Sequence, residues 1–140
     1  MGNPLVGKMN VGFAVDADIP RIIDMVERLR EAVNGPQKPC RIRTGQTIAG
    51  LIHSPEGAVW VSERGFIAGE IVQTIINPDP VAHEHGWYAE DRSGLRLLKT
   101  FENWAASKGA TLIRLSCNGG VAQQILERAG YRAAEIAMVK

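Results

Sequence analysis

Residues 81–109, VAHEHGWYAEDRSGLRLLKTFENWAASKG, carry the pattern that most restricts what this chain can fold into. A strand pattern over Val81–Ala89 runs into a charged turn holding Ser93-Gly94. Leu95, Leu98, Phe101, Trp104 and Ala105 then form one apolar face of a helix over residues 94–108. Residues 111–117 follow as a buried-type strand, which makes the unit a strand–helix–strand crossover. A turn leading from a strand into a helix start gathers free backbone N–H groups and a positive helix end at one spot, and that combination suits an anion such as a phosphate. His83, Glu84 and His85 place ionisable groups on the strand just before it.

The rest of the chain fits around that unit. Residues 11–15 form a short apolar run, and Asp16 or Asp18 can cap a helix with Pro20 inside its first turn. Ile19, Ile22, Ile23, Val26, Leu29 and Val33 continue as a helical stripe that Asn34-Gly35-Pro36 ends. A basic loop over residues 37–43 precedes a second short helix, 44–53. Residues 58–62 and 66–76 read as two strands of a hairpin, joined through Glu63-Arg64-Gly65, and Asn77-Pro78-Asp79-Pro80 as a rigid turn. A last helix over 121–128 leads through Ala129-Gly130-Tyr131 into a final strand, 132–139. The order β-α-α-β-β-β-α-β-α-β predicts an α/β (α+β) fold with a mixed, mostly antiparallel sheet and helices on both faces. A doubly wound nucleotide fold would alternate more strictly and open on a glycine-rich turn.

At 140 residues the expectation is a single domain with a core that needs no staples. A net charge of +1 gives no reason to expect nucleic acid as a partner. No apolar run approaches a membrane span, the N-terminus lacks a signal-peptide pattern, and Cys40 and Cys117 show no metal-type spacing. A cytoplasmic protein with reduced thiols, no membrane partner and no metal is expected.

The order of elements, the segment WYAEDRSGLRLLKTFENWAASKGA and the ending AQQILERAGY resemble the GNAT superfamily of acyl-CoA-dependent N-acyltransferases. The resemblance runs over roughly residues 11–139. Aligning on Leu97, Leu98, Trp104 and Gly109 puts Gly94 at the last small residue of the family's Gln/Arg-x-x-Gly-x-Gly/Ala turn. Ala89 then stands where Gln or Arg is usual, and Arg92 where the first glycine belongs. Leu126 occupies the place of the family's tyrosine, while Glu127, Gly130 and Tyr131 fit.

The resemblance implies acetyl-CoA (coenzyme A) lying between the Val81–Ala89 strand and the 111–117 strand. Its pantetheine arm would bond to the backbone of Trp87, Tyr88 and Ala89, and its diphosphate to the turn of Arg92, Ser93, Gly94, Leu95 and Arg96. The Arg92 guanidinium could fork onto phosphate oxygens, and Lys99 adds positive charge. Asn118 is a further candidate for the cofactor. Glu84 is the candidate base that takes a proton from the attacking amine, with His83 and His85 as alternatives. A backbone N–H at Tyr88 or Ala89 would hold the developing oxyanion, and a bulge near Gly86 would break the alternation of the strand. Tyr131 could replace the acid lost at Leu126.

Three functions follow for testing. The first is an N-acetyltransferase acting on a small-molecule or peptide amine, the second an acyl-CoA-binding regulatory module, the third a structural protein of mixed fold. Arg41 and Arg43 hint at an acidic acceptor, and edge strands could pair two copies into a homodimer.

Overall fold

The computed structural model describes residues 10–140. Its five-stranded sheet has the order β1-β2-β3-β4-β5, from β1 (Gly12–Phe13) through β2 (Gly57–Val61), β3 (Gly65–Val72) and β4 (Val81–Ala89) to β5 (Leu112–Arg114). The first four strands pair antiparallel and β5 lies parallel to β4. That parallel step requires the crossover carried by α3 (Gly94–Ser107). The other helices are α1 (Ile19–Ala32), α2 (Arg41–His53) and α4 (Gly120–Arg128). The architecture is the mixed α/β one that the order of elements predicts.

A 3-10 turn, Asp16–Asp18, leads into α1. Asp18 accepts the Val15 amide at 2.9 Å, and Pro20 sits in the first helical turn, where its missing N–H costs nothing. Ile22 and Met25 of α1 and Ile48 and Leu51 of α2 pack on one sheet face against Val59, Val61, Phe66 and Ala68. The opposite face, Ala58, Trp60, Ile67 and Ala82, is covered by Leu97, Leu98, Phe101 and Ala105 of α3 and by Leu126 of α4. Fully burying one such apolar side chain contributes about 1.5–3 kcal/mol, so these two layers carry most of the stability.

Gly69 lets α3 come close. A Cβ there would lie 2.5 Å from the Phe101 ring and 2.7 Å from the His83 carbonyl oxygen. Beside it the β3–β4 register shifts: Ala68 faces Gly86 and Gly69 faces Glu84, leaving His85 as an extra residue. The shift is a bulge beside Gly86, and it breaks the simple alternation of β4.

Several boundaries differ from the sequence reading. The strand predicted over 66–76 stops at Val72, the one over 111–117 covers Leu112–Arg114, and α2 starts at Arg41, inside the expected loop. The final strand predicted over 132–139 does not form; those residues are exposed and join no ladder. Their β-branched and apolar composition suits a strand, but a strand also needs a neighbour to pair with. No helix of the described residues is long and apolar enough to cross a membrane.

Candidate functional site

The site begins where the sheet forks. β5 pairs with β4 only at Val81, Ala82 and His83, whereas β3 follows β4 as far as Ala89. From Glu84 to Ala89 the outer edge of β4 therefore has no strand partner among the described residues, a stretch of roughly 20 Å at about 3.3 Å per residue. The Glu90 amide donates to Arg64 O on the β3 side. Alternation then turns the amides of Trp87 and Ala89 to the open edge and that of Tyr88 towards β3. Of the two oxyanion donors expected, the Tyr88 amide is thus occupied within the sheet and the Ala89 amide faces the fork.

Glu84 stands at the apex of this fork. Its side chain is 8% exposed, and Oε1 accepts the Ser116 amide at 3.3 Å. Burial pushes its pKa from an ordinary 4.5 up to about 7, although the Ser116 hydrogen bond works the other way. A carboxyl that ionises near neutrality suits a general base. The bulge sets its direction. Ala82 packs on the α3 face, and Glu84 shares that face by alternation. Past His85 the phase reverses, so Trp87 and Ala89 share the α3 face while Tyr88 packs on the α1 face.

His83 and His85 lie together on the other side, ring centroids 4.9 Å apart, and His85 Nε2 meets Glu70 Oε2 at 2.5 Å. Burial, then the neighbouring His85 and Arg114, hold the His83 pKa below its ordinary value. Near Glu70 a groove of about 380 Å³ opens between β3 and α2, lined by Arg43, Gln46, Thr47 and Ser54 among others.

At the far end of the open edge lies the start of α3. Ser93, a residue type that usually caps a helix, does not do so here. It is 1% exposed, and its hydroxyl meets Ser62 Oγ at 2.7 Å and donates to Asp91 Oδ1 at 2.5 Å. Its amide is also bound to Asp91, at 3.2 Å. Burial opposes ionisation of Asp91, but hydrogen bonds from Ser93, the Arg64 amide and Ser62 outweigh it and hold the carboxyl below its usual range. The amides of Gly94 and Leu95 precede the first intrahelical bond, Leu97 to Ser93 O, and keep the positive helix end for an outside acceptor. The Trp87 indole donates to Gly94 O at 2.9 Å, locking the open edge of β4 to this turn.

Arg92 adopts φ +67°, a left-handed conformation. This is the position where the resemblance expects glycine, and for other residues that conformation costs roughly 1–2 kcal/mol. Arg92→Gly is expected to stabilise the protein by up to about 1 kcal/mol, the gain offset in part by the freer unfolded chain. Urea denaturation measures this; an unchanged or lowered midpoint would show that the turn holds no strain there.

The remaining candidates sit elsewhere. Asn118 donates its amide to Val33 O at 3.0 Å and so ties the loop after β5 to the end of α1. Leu126 is core. Tyr131 donates its hydroxyl to Glu102 at 2.8 Å; burial, then that carboxylate, push its pKa upward and away from use as an acid. Trp87, Ala89 and Gly94 do come together: a Cβ on Gly94 would lie 3.8 Å from Ala89 Cβ and 3.9 Å from the Trp87 ring. Sequence reasoning passed over Ser62, Asp91 and the Ser116 amide. Asp91-x-Ser93 has the spacing of an Asx turn and could have been read, whereas Ser62 and Ser116 act across the fold.

No family model matches the sequence, and no curated protein matches it. Solved structures do. Glucosamine-6-phosphate N-acetyltransferase from Arabidopsis thaliana superposes with a TM-score of 0.70 at 14% identity, over 94% of this chain and 96% of that one. The aminoglycoside N-acetyltransferase AAC(6')-Iy, solved in complex with CoA, gives 0.71 at 12% identity, over 94% and 92%. A transcriptional regulator from Bacillus halodurans C-125 gives 0.74 at 13%, over 94% and 97%. The chain has the GNAT N-acetyltransferase fold.

Proposed function

We propose that this protein is a cytoplasmic N-acetyltransferase that moves an acetyl group from acetyl-CoA to an amine. The observation that carries this reading is the unpaired β4 edge from Glu84 to Ala89, which ends at the uncapped start of α3. An extended pantetheine arm would add to that edge as a strand does, through the backbone of Trp87 and Ala89. The amides of Gly94 and Leu95 would receive the diphosphate, with Arg92 and Arg96 adding charge. Tyr88 would contribute to the wall through its side chain, and Ser93 by fixing the turn.

Acetyl-CoA supplies the thioester when bound. Glu84 takes a proton from the incoming amine, directly or through one water, and the Ala89 or Trp87 amide donates to the carbonyl oxygen as charge builds on it. Among the described residues the candidate to replace the acid missing at Leu126, Tyr131, is committed to Glu102, so no proton donor is assigned to the leaving thiol, whose pKa near about 8.5 would make it an adequate leaving group without one. The acceptor would reach Glu84 at the open fork; the groove beside Glu70 and α2 lies on the opposite face of the sheet.

The buried Leu126 and the committed Tyr131 hydroxyl also favour a second reading, an acyl-CoA-binding module with little turnover. Thiol release from acetyl-CoA across a panel of amines separates the two. CoA at a hundred times its dissociation constant should stabilise the fold by about 2.7 kcal/mol, while ATP and NAD should not. Gly94→Glu should erase that shift with the free protein's stability kept, because a Cβ there meets its neighbours only at ordinary contact distance and an acid in the first helical turn is favourable. A CoA shift that survives the substitution would remove the diphosphate from the start of α3.

A further inference from the structure

The turn that opens α3 is held from outside, by a part of the chain remote from β4 in sequence. Ser62 and Arg64 belong to the turn between β2 and β3, yet both reach Asp91. Asp91 Oδ2 accepts the Ser62 hydroxyl at 2.8 Å and the Arg64 amide at 2.7 Å. Its Oδ1 accepts the Ser93 hydroxyl at 2.5 Å and the Ser93 amide at 3.2 Å. Those four bonds fill the roughly four lone-pair sites of a carboxylate, which leaves Asp91 no capacity for a ligand or a cation. Gly65 lets the two turns close up: a Cβ there would lie 2.9 Å from both Ser62 Oγ and Ser93 Oγ.

The β2–β3 turn is itself fixed to α1. Arg21 donates to Ser62 O at 2.8 Å and to Glu63 O at 3.0 Å, and Glu90 takes both Arg28 and Arg64, each at 2.8 Å. Arg92 stands between Asp91 and Ser93 at φ +67°, a conformation that a non-glycine residue keeps only where its surroundings over-determine it. Charge points the same way. A carboxylate beside a site for an anion is electrostatically unfavourable, so its presence there calls for a compensating role.

We propose that Asp91 and Ser62 are positioning residues for the cofactor, holding the turn of Arg92 and Ser93 so that the amides of Gly94 and Leu95 meet the diphosphate. This rests on the reading of the start of α3 as the diphosphate site. The clamp supplies from across the fold what a glycine at position 92 would supply locally.

Calorimetric titration of the whole chain with CoA tests this, with ligand-free melting followed in parallel. Asp91→Asn removes a negative charge beside the anion site, so charge alone would tighten binding. The clamp predicts the reverse. Asparagine must turn an NH2 group towards donors, and the affinity for CoA should fall about 5–30-fold. Ser62→Ala keeps the charge and should lower the affinity about threefold, which reports the same role if Asp91→Asn fails to fold. Coupling to Arg92 separates positioning from general loosening. Arg92→Gly weakens binding by itself through the lost guanidinium, but in that background Asp91→Asn should cost less than about threefold, since glycine holds the left-handed turn unaided. Tighter binding in Asp91→Asn, or an equal loss in both backgrounds, would overturn the proposal. A wild type that binds no CoA would overturn the diphosphate reading and the clamp together. One that binds CoA but is indifferent to Asp91→Asn and Ser62→Ala would overturn the clamp alone.

Discussion

Glu84→Gln is expected to lower kcat/KM for acetyl transfer by about 10²–10⁴-fold, the span for a single acid/base group. The same substitution should make the protein more stable at alkaline pH, and the two effects together identify the role. In the folded chain this carboxyl holds its proton up to about pH 7, against an ordinary pKa of 4.5. Between those values the folded state binds one proton more than the unfolded state, so stability falls as pH rises through that window. Above about pH 7 the loss is complete and amounts to about 3 kcal/mol, the cost of a charge in an apolar setting. Glutamine keeps the shape and the acceptor for the Ser116 amide but never ionises. Wild-type activity should therefore climb through neutrality while its melting temperature declines, and the variant should show neither trend. Full activity in Glu84→Gln would remove the carboxylate from the reaction. A variant whose stability still falls across that window would show that another group titrates there.

Gly69→Ala is expected to cost about 3 kcal/mol or more, at the upper end of the penalty for overpacking, and to lower the melting temperature by roughly 10 °C. The added methyl meets the rigid Phe101 ring at 2.5 Å and strand backbone at His83 O, at 2.7 Å. Neither can move without shifting α3 or the bulge. Pairing the change with Phe101→Leu should recover part of the loss, because it removes the ring but not the carbonyl. Thermal and urea unfolding of the single and double variants measure both effects. A mild Gly69→Ala phenotype would mean that α3 slides easily over the sheet.

The sequence signals that proved reliable were periodic and local. Of the stripe expected on α3, Leu98, Phe101 and Ala105 are buried, whereas Leu95 is exposed and Leu97, which that stripe leaves out, is buried; the hairpin signal at Glu63-Arg64-Gly65 located β2 and β3. The strand preceding α3 and the turn at Ser93-Gly94 were likewise legible. What could not be read depends on residues far apart in the chain. Ser62 reaches Asp91 and Ser93 across 29 and 31 positions, and Ser116 reaches Glu84 across 32. Asn118, which looked available, is taken by Val33, 85 positions away. The final segment failed for a related reason: strand propensity resides in Ile136 and Val139, whereas pairing resides in whichever edge they meet. Arg92 is the opposite case, since alignment alone marked a place that wants glycine and the positive φ is found there.

The extra residue at His85 has a bearing on how this protein can vary. On either side of it β4 runs in opposite phase, with Ala82 and Trp87 sharing one layer despite odd spacing. Losing that one extra residue would restore simple alternation and still leave Ala82, Glu84, Trp87 and Ala89 in one layer and Tyr88 in the other. A homologue one residue shorter at this point could therefore keep both packed faces and would lose only the local kink at the head of the fork.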